Sequence, residues 1–186
     1  MKVGSRDKAD AKGGVTPGTG FPPYSYVPGG PWPHPKSHPE GHAHHIIETP
    51  APAMDPDRWR ESRVYMEGVR LFDAGYYWEA HEAWERLWHS AGRKGPVADF
   101  LKALIKMAAA GVKLREGIIS GASTHAGRAE AMFRELNRQV GPEYLGQNLE
   151  TLAERACSTK SEPARISDEL RALPVHVVFD WRLEPT

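Results

Sequence analysis

Apolar residues recur at helical spacing along most of the chain from Asp55 onward, and nowhere before it. Asp55-Pro56 pairs an N-cap acceptor with a proline at the first helical position, where its missing N–H is no loss. A first helix is predicted from there to about Ala74. Trp59, Tyr65, Met66, Val69 and Phe72 form its broad apolar stripe, Val64 and Leu71 lie off that stripe, and Gly75 is its stop. A second helix is predicted from about Tyr76 to Ser90, closed by Gly92 and Gly95-Pro96.

The third predicted helix, roughly Pro96 to Glu116, is apolar over about half its circumference through Phe100, Leu101, Leu104, Ile105, Met107 and Leu114. Asp99, Lys102, Lys106 and Lys113 mark its wet side, and Ala108-Ala109-Ala110-Gly111 suits a central helix with close neighbours. A fourth helix, about Ala122 to Val140, carries the seam Ala126, Ala129, Met132, Phe133 and Leu136 and breaks at Gly141-Pro142. Two shorter helices follow, near Leu149–Cys157 and Pro163–Leu173. Val175-His176-Val177-Val178-Phe179 has the composition of a strand but no partner, so it is expected to lie extended on the bundle. With no other stretch favouring a sheet, the fold class is all-α: a compact antiparallel bundle of about five to six helices.

Residues 1–54 break this pattern. Phe21-Pro22-Pro23-Tyr24-Ser25-Tyr26-Val27-Pro28-Gly29-Gly30-Pro31-Trp32-Pro33-His34-Pro35 can form neither helix nor central strand. The expected organisation is an irregular Pro/Gly/His-rich extension over 1–54 and a helical domain over 55–186. The plain reading of the extension is a disordered leader. Against it stand Phe21, Tyr24, Tyr26, Val27 and Trp32, which are costly to leave in water and favour docking on the bundle.

Composition narrows the setting. Lys+Arg and Asp+Glu are both 24 and interspersed, so there is no basic field for nucleic acid or an anionic membrane. A lone cysteine, Cys157, excludes an internal disulfide framework and a cysteine-rich zinc finger. Met1–Gly14 lacks the apolar centre of a signal peptide, and Met107–Val112 is too short to span a bilayer. A cytoplasmic protein is expected, with a small molecule, protein or peptide as partner and self-association left open.

The chemistry-bearing segment is Glu79-Ala80-His81-Glu82-Ala83-Trp84-Glu85. On a helix, Tyr77, Ala80, Trp84, Leu87 and Trp88 share one face, with His81 and Glu85 together at its edge. An imidazole and a carboxylate one turn apart can serve general acid–base chemistry or ligate a metal. His81-Glu82-Ala83-Trp84-Glu85 resembles a His-Glu-x-x-His zinc helix with glutamate in place of the second histidine. His81 and Glu85 are then the candidate ligands of a divalent metal and Glu82 a candidate base. Trp84, Trp88, Lys106 and His125 are candidate ligand-binding neighbours. Lysines nearby oppose a bare divalent ion. Further imidazoles could come from His125 or from His34, His38, His42, His44 and His45, whose spacing defines no geometry. Arg115 and Arg128 with His125 could line an anion-binding rim, although a solvated face explains them equally.

Gly68 to Trp88, with Gly75-Tyr76-Tyr77 and Glu79-Ala80-His81-Glu82, resembles the signature of the domain of unknown function 309 family, as does Phe100 to Ala110. The resemblance covers about Trp59 to Phe133. It implies a compact all-α fold of small bacterial and archaeal proteins and points to His81, Glu82, Glu85 and Trp88, without bringing an activity. Ala103 departs from it, where relatives favour glycine. Pro23 to Gly29, Pro33-His34-Pro35 and Gly41-His42 are similar to a leader of some members, which favours docking.

Three functional readings stay open. The first is a ligand or metal site, open to a hydrolytic role, built on His81, Glu82 and Glu85 with Lys106 as electrostatic partner. The second is a helical interaction module. Leu71-Phe72-x-x-Gly75-x-Tyr77-x-x-Ala80 is similar to a tetratricopeptide helix–turn–helix, although no second copy follows at a period of about 34 residues. The third and plainest is a satisfied polar network of His81, Glu82, Glu85 and Lys106 that only joins the second and third helices.

Overall fold

The computed structural model describes residues 20–47, 49–183 and 185; the reading of Met1–Gly14 falls outside them. Its helices are α1 (Arg63–Asp73), α2 (Tyr77–Ser90), α3 (Pro96–Glu116), α4 (Ile119–Val140), α5 (Leu149–Ser161) and the single-turn α6 (Asp168–Arg171). The chain is all-α, with α1 packed on α2, α2 on α3, α3 on α4 and α4 on α5. Among the described residues, no helix is long and apolar enough to cross a membrane.

The predicted first helix is divided. Asp55 caps a 3-10 turn, Pro56–Glu61, by accepting from the Asp57 N–H. Ser62 then leaves helical geometry, with φ −74° and ψ 95°, and its hydroxyl accepts from the Tyr65 N–H to start α1. Serine competes with the helix for its own backbone here, and the cap wins. At the other end of α1, Gly75 turns the chain at φ 87°, and a Cβ there would lie 2.9 Å from the His176 carbonyl oxygen. Both constraints demand glycine.

The core is aromatic. Trp84 is fully buried, its indole N–H donating to the Tyr65 carbonyl at 3.3 Å, and its ring lies where a Cβ on Gly68 would otherwise sit. Gly111 accommodates the Tyr77 ring in the same way. Buried Tyr65 donates its hydroxyl to the Leu145 carbonyl at 2.9 Å, so the polar ends of these rings are satisfied. The Val175–Phe179 segment does lie extended on the bundle: the Val178 N–H donates to the Tyr77 hydroxyl, and Phe179 stacks on Phe72 with centroids 5.3 Å apart.

Two expectations need correction. A two-residue antiparallel pair, β1 (Glu143–Tyr144) with β2 (Gln147–Asn148), precedes α5. It turns through Leu145 at φ 49° and Gly146 at φ 75°, and is too short to leave a two-residue period in the sequence. The helix expected over Pro163–Leu173 shrinks to α6. Buried Arg115 takes up the Arg171 and Leu173 carbonyls at 3.4 and 2.7 Å, giving them a partner outside a helix.

Over its described residues from Phe21 the extension is docked. Phe21 stacks on Tyr76, Tyr24 stacks on Trp32, and Tyr26 meets Trp78 edge-on. The Ser25 N–H donates to the Pro174 carbonyl at 2.9 Å, tying the leader to the C-terminal segment as well as to α2. A disordered leader over these residues is therefore not what the chain forms.

Gly68→Ala tests the packing under Trp84. An exposed helical glycine gains by this change, but here the methyl would sit 2.2 Å from the indole nitrogen. The variant should lose about 1–3 kcal/mol of stability in denaturant unfolding, the cost of overpacking.

Candidate functional site

Helix α2 sorts its residues by depth. Tyr77, Ala80, Ala83, Trp84 and Leu87 are buried, while His81, Glu82, Glu85 and Trp88 are half-buried along the boundary with solvent. His81, Glu82 and Glu85 each offer one ligand atom, and these atoms lie within 4.8 Å of one another. The His81 Nδ1 is 3.7 Å from a Glu82 oxygen, beyond hydrogen-bond reach, and is shielded from water with no hydrogen-bond partner.

The second oxygen of Glu82 is bonded to the Lys36 ammonium, delivered by the leader. Burial works to raise the Glu82 carboxyl, but His81 and Lys36 outweigh it and hold the group down at about 2. Glu82 therefore stays ionised across the physiological range.

The other predicted neighbours part company. Trp84 lies in the core and does not line the cluster, so the expected indole shelter at that position is wrong: the side chain is committed to Tyr65 and Gly68. Trp88 is half-buried and carries Arg93 and Lys102 over its ring, at 5.3 and 5.9 Å. Lys106 makes no ion pair with the cluster; the lysine on Glu82 is Lys36. Consequently the motif joins α2 to the leader, whereas the expected polar network joined α2 to α3. Arg115 is buried against the C-terminal segment and so cannot share a rim with Arg128 and His125. The leader histidines do not converge. His34 packs edge-on against Trp78, His42 reaches Glu79, and His38, His44 and His45 are exposed.

Glu79 opens the chemistry-bearing segment, but the sequence assigned it no role in a site. Its carboxylate is 7% exposed and accepts from the Ser25 hydroxyl and the Tyr26 N–H, both at 2.9 Å. The His42 Nε2 lies 3.3 Å from the same carboxylate. Three leader groups thus converge on one buried acid, where a charged acceptor in low dielectric binds donors strongly. The available signal was register: Glu79 is four residues before buried Ala83, an acid at an inward-facing position. Lys36 gave no such signal, because nothing local fixes where an extended leader crosses a helix.

The family model described as a domain of unknown function (DUF309) matches residues 65–124, from α1 into the start of α4. The resemblance read from the motif residues holds over that segment, which contains the cluster. No curated protein matches the chain.

Two outcomes follow from these contacts. Glu79→Ala leaves the Ser25 hydroxyl and Tyr26 N–H without their acceptor, so the leader should become cleavable by protease within residues 20–47, with a stability loss of about 2 kcal/mol or more. Retained protease resistance would contradict the clamp. For Glu82, the folded carboxyl sits below its ordinary 4.5. Its stabilising contribution is complete above about pH 4.5 and is lost as pH falls towards about 2. Acid unfolding of Glu82→Gln or Lys36→Met should be flatter than wild type across that window.

Proposed function

We propose that the protein binds a divalent cation at His81, Glu82 and Glu85 and presents it to a small ligand. The observation behind this reading is the approach of three ligand-type atoms to within 4.8 Å on one helix face. The same imidazole has a sheltered Nδ1 without a hydrogen-bond partner, which adds to it. One nitrogen and two carboxylate oxygens suit zinc or manganese and leave coordination positions for water or a ligand. A cation held so would lower the proton affinity of bound water, which is the chemistry a hydrolytic role needs. A cytoplasmic setting accords with the single cysteine.

A purely structural reading has its own support in the Lys36–Glu82 contact, which already satisfies one donor atom of the site from within the chain. The two readings differ in what added metal does. Tag-free full-length protein should bind about one equivalent of zinc or manganese in titration calorimetry, and His81→Ala should remove that binding. Lys36→Met frees the Glu82 oxygen and should tighten metal binding by roughly two- to fivefold, the worth of a partly exposed ion pair. No bound metal, with thermal stability unmoved by added ions, would leave only the structural role.

A further inference from the structure

Between Leu101 and Arg115, α3 is buried everywhere except Lys102, Lys106, Ala109 and Lys113. These four share one helical stripe, so the central helix reaches solvent along a single line of three lysines and one alanine. Contacts with the flanking helices set what borders that line. Tyr77 packs on Gly111 and Lys102 lies over Trp88, so α2 runs antiparallel to α3 and His81 comes level with Ala109. On the other side the Lys113 stem covers Gly121, so α4 is antiparallel too, with His125 level with Ala109 and Arg128 level with Lys106. The small side chain of Ala109 makes a low floor between two imidazoles, with lysines one turn above and below.

The electrostatics of this trough are unbalanced. Among the described residues, neither Lys106 nor Arg128 has an ion-pair or hydrogen-bond partner, whereas Lys113 is paired with Glu116 at 2.7 Å. The His125 Nδ1, like that of His81, is shielded from water and has no hydrogen-bond partner. Burial first, then the charges of Lys106, Arg128, Lys113 and His81, hold the His125 imidazole below its usual range. Of the carboxylates bordering this line, Glu116 is taken up by Lys113 and Glu82 by Lys36. Unpaired cations around a sheltered, unsatisfied ring nitrogen form the complement of an anion.

We infer that Lys106, His125 and Arg128, with His81 across Ala109, form a binding site for a phosphate group. Phosphate is favoured over a carboxylate because its second charge matches two unpaired cations, and its several oxygens can reach both α3 and α4. The site borders the cation cluster at His81, which both would use, but its cations come from α3 and α4 and it does not need a metal.

The test uses inorganic phosphate on the full-length protein in chelator and a non-phosphate buffer, by titration calorimetry and by the ring resonances of His125. Saturable binding with a His125 shift is expected. It should weaken at least about tenfold in Lys106→Met and in His125→Gln, the scale of losing one charge-assisted hydrogen bond. Lys102→Met, at the far end of the same stripe over Trp88, should bind as wild type does, and circular dichroism should show all three variants folded. Equal binding of acetate would overturn the phosphate assignment. Equal weakening by Lys102→Met would reduce the site to general surface charge, and no saturable binding would remove it. Because chelator is present throughout, failure of metal binding leaves this result untouched, and the converse holds.

Discussion

A central helix that is buried on all but one line of its middle turns must be wrapped by its neighbours, and α3 imposes that requirement on this chain. Its buried positions include Phe100, Leu101, Leu104, Met107, Ala108, Gly111 and Leu114, and α2 and α4 close over it from both sides. Burial of that area is the dominant favourable term in a domain of this size. The small residues let neighbours approach closely, as the Tyr77 ring does at Gly111. Between Leu101 and Arg115 what remains uncovered is one polar line, and both candidate sites border it.

The leader solves a related problem by different means. It is rich in proline, so little backbone freedom is lost when it settles on the bundle, and its aromatic rings find partners at Tyr76 and Trp78. Ring stacking alone is weakly directional. Register comes from the buried Glu79 carboxylate, which accepts a backbone N–H and a hydroxyl from consecutive residues. A slip of one residue would leave that acid without donors, a penalty large enough to select one alignment. Lys36 is then carried to Glu82, so the anchoring acid and the candidate site on α2 are coupled through a single strap of chain.

Charge around the α3 line is divided by helix. Beside its middle turns, carboxylates come from α2, at Glu82 and Glu85, and the cations left unpaired among the described residues come from α3 and α4, at Lys106 and Arg128, while Glu116 is taken up by Lys113. His81 stands at the border, near Glu82 on its own helix and electrostatically coupled to His125 beyond α3. Such a division suits a cation and an anion held side by side, since each would lessen the repulsion the other meets. It also explains why lysines near the motif, which disfavour a bare metal ion, do not by themselves decide its chemistry.

Helical periodicity, caps and breakers determined the all-α architecture, and the helix expected at roughly Pro96 to Glu116 forms over that span. The proximity of His81, Glu82 and Glu85 was equally legible, because it follows from spacing within one helix. Local patterns failed where two options were close in energy: Ser62 ended one turn and capped the next helix, and the Leu145–Gly146 turn made a pairing too brief to show a period. The roles of Trp84, Glu79 and Lys36 could only be settled in three dimensions. Periodicity says which residues share a face, but not which become core, which acid meets a distant donor, or where an extended leader crosses. Those outcomes depend on contacts between residues far apart in the chain, whose energies exist only once the helices have packed.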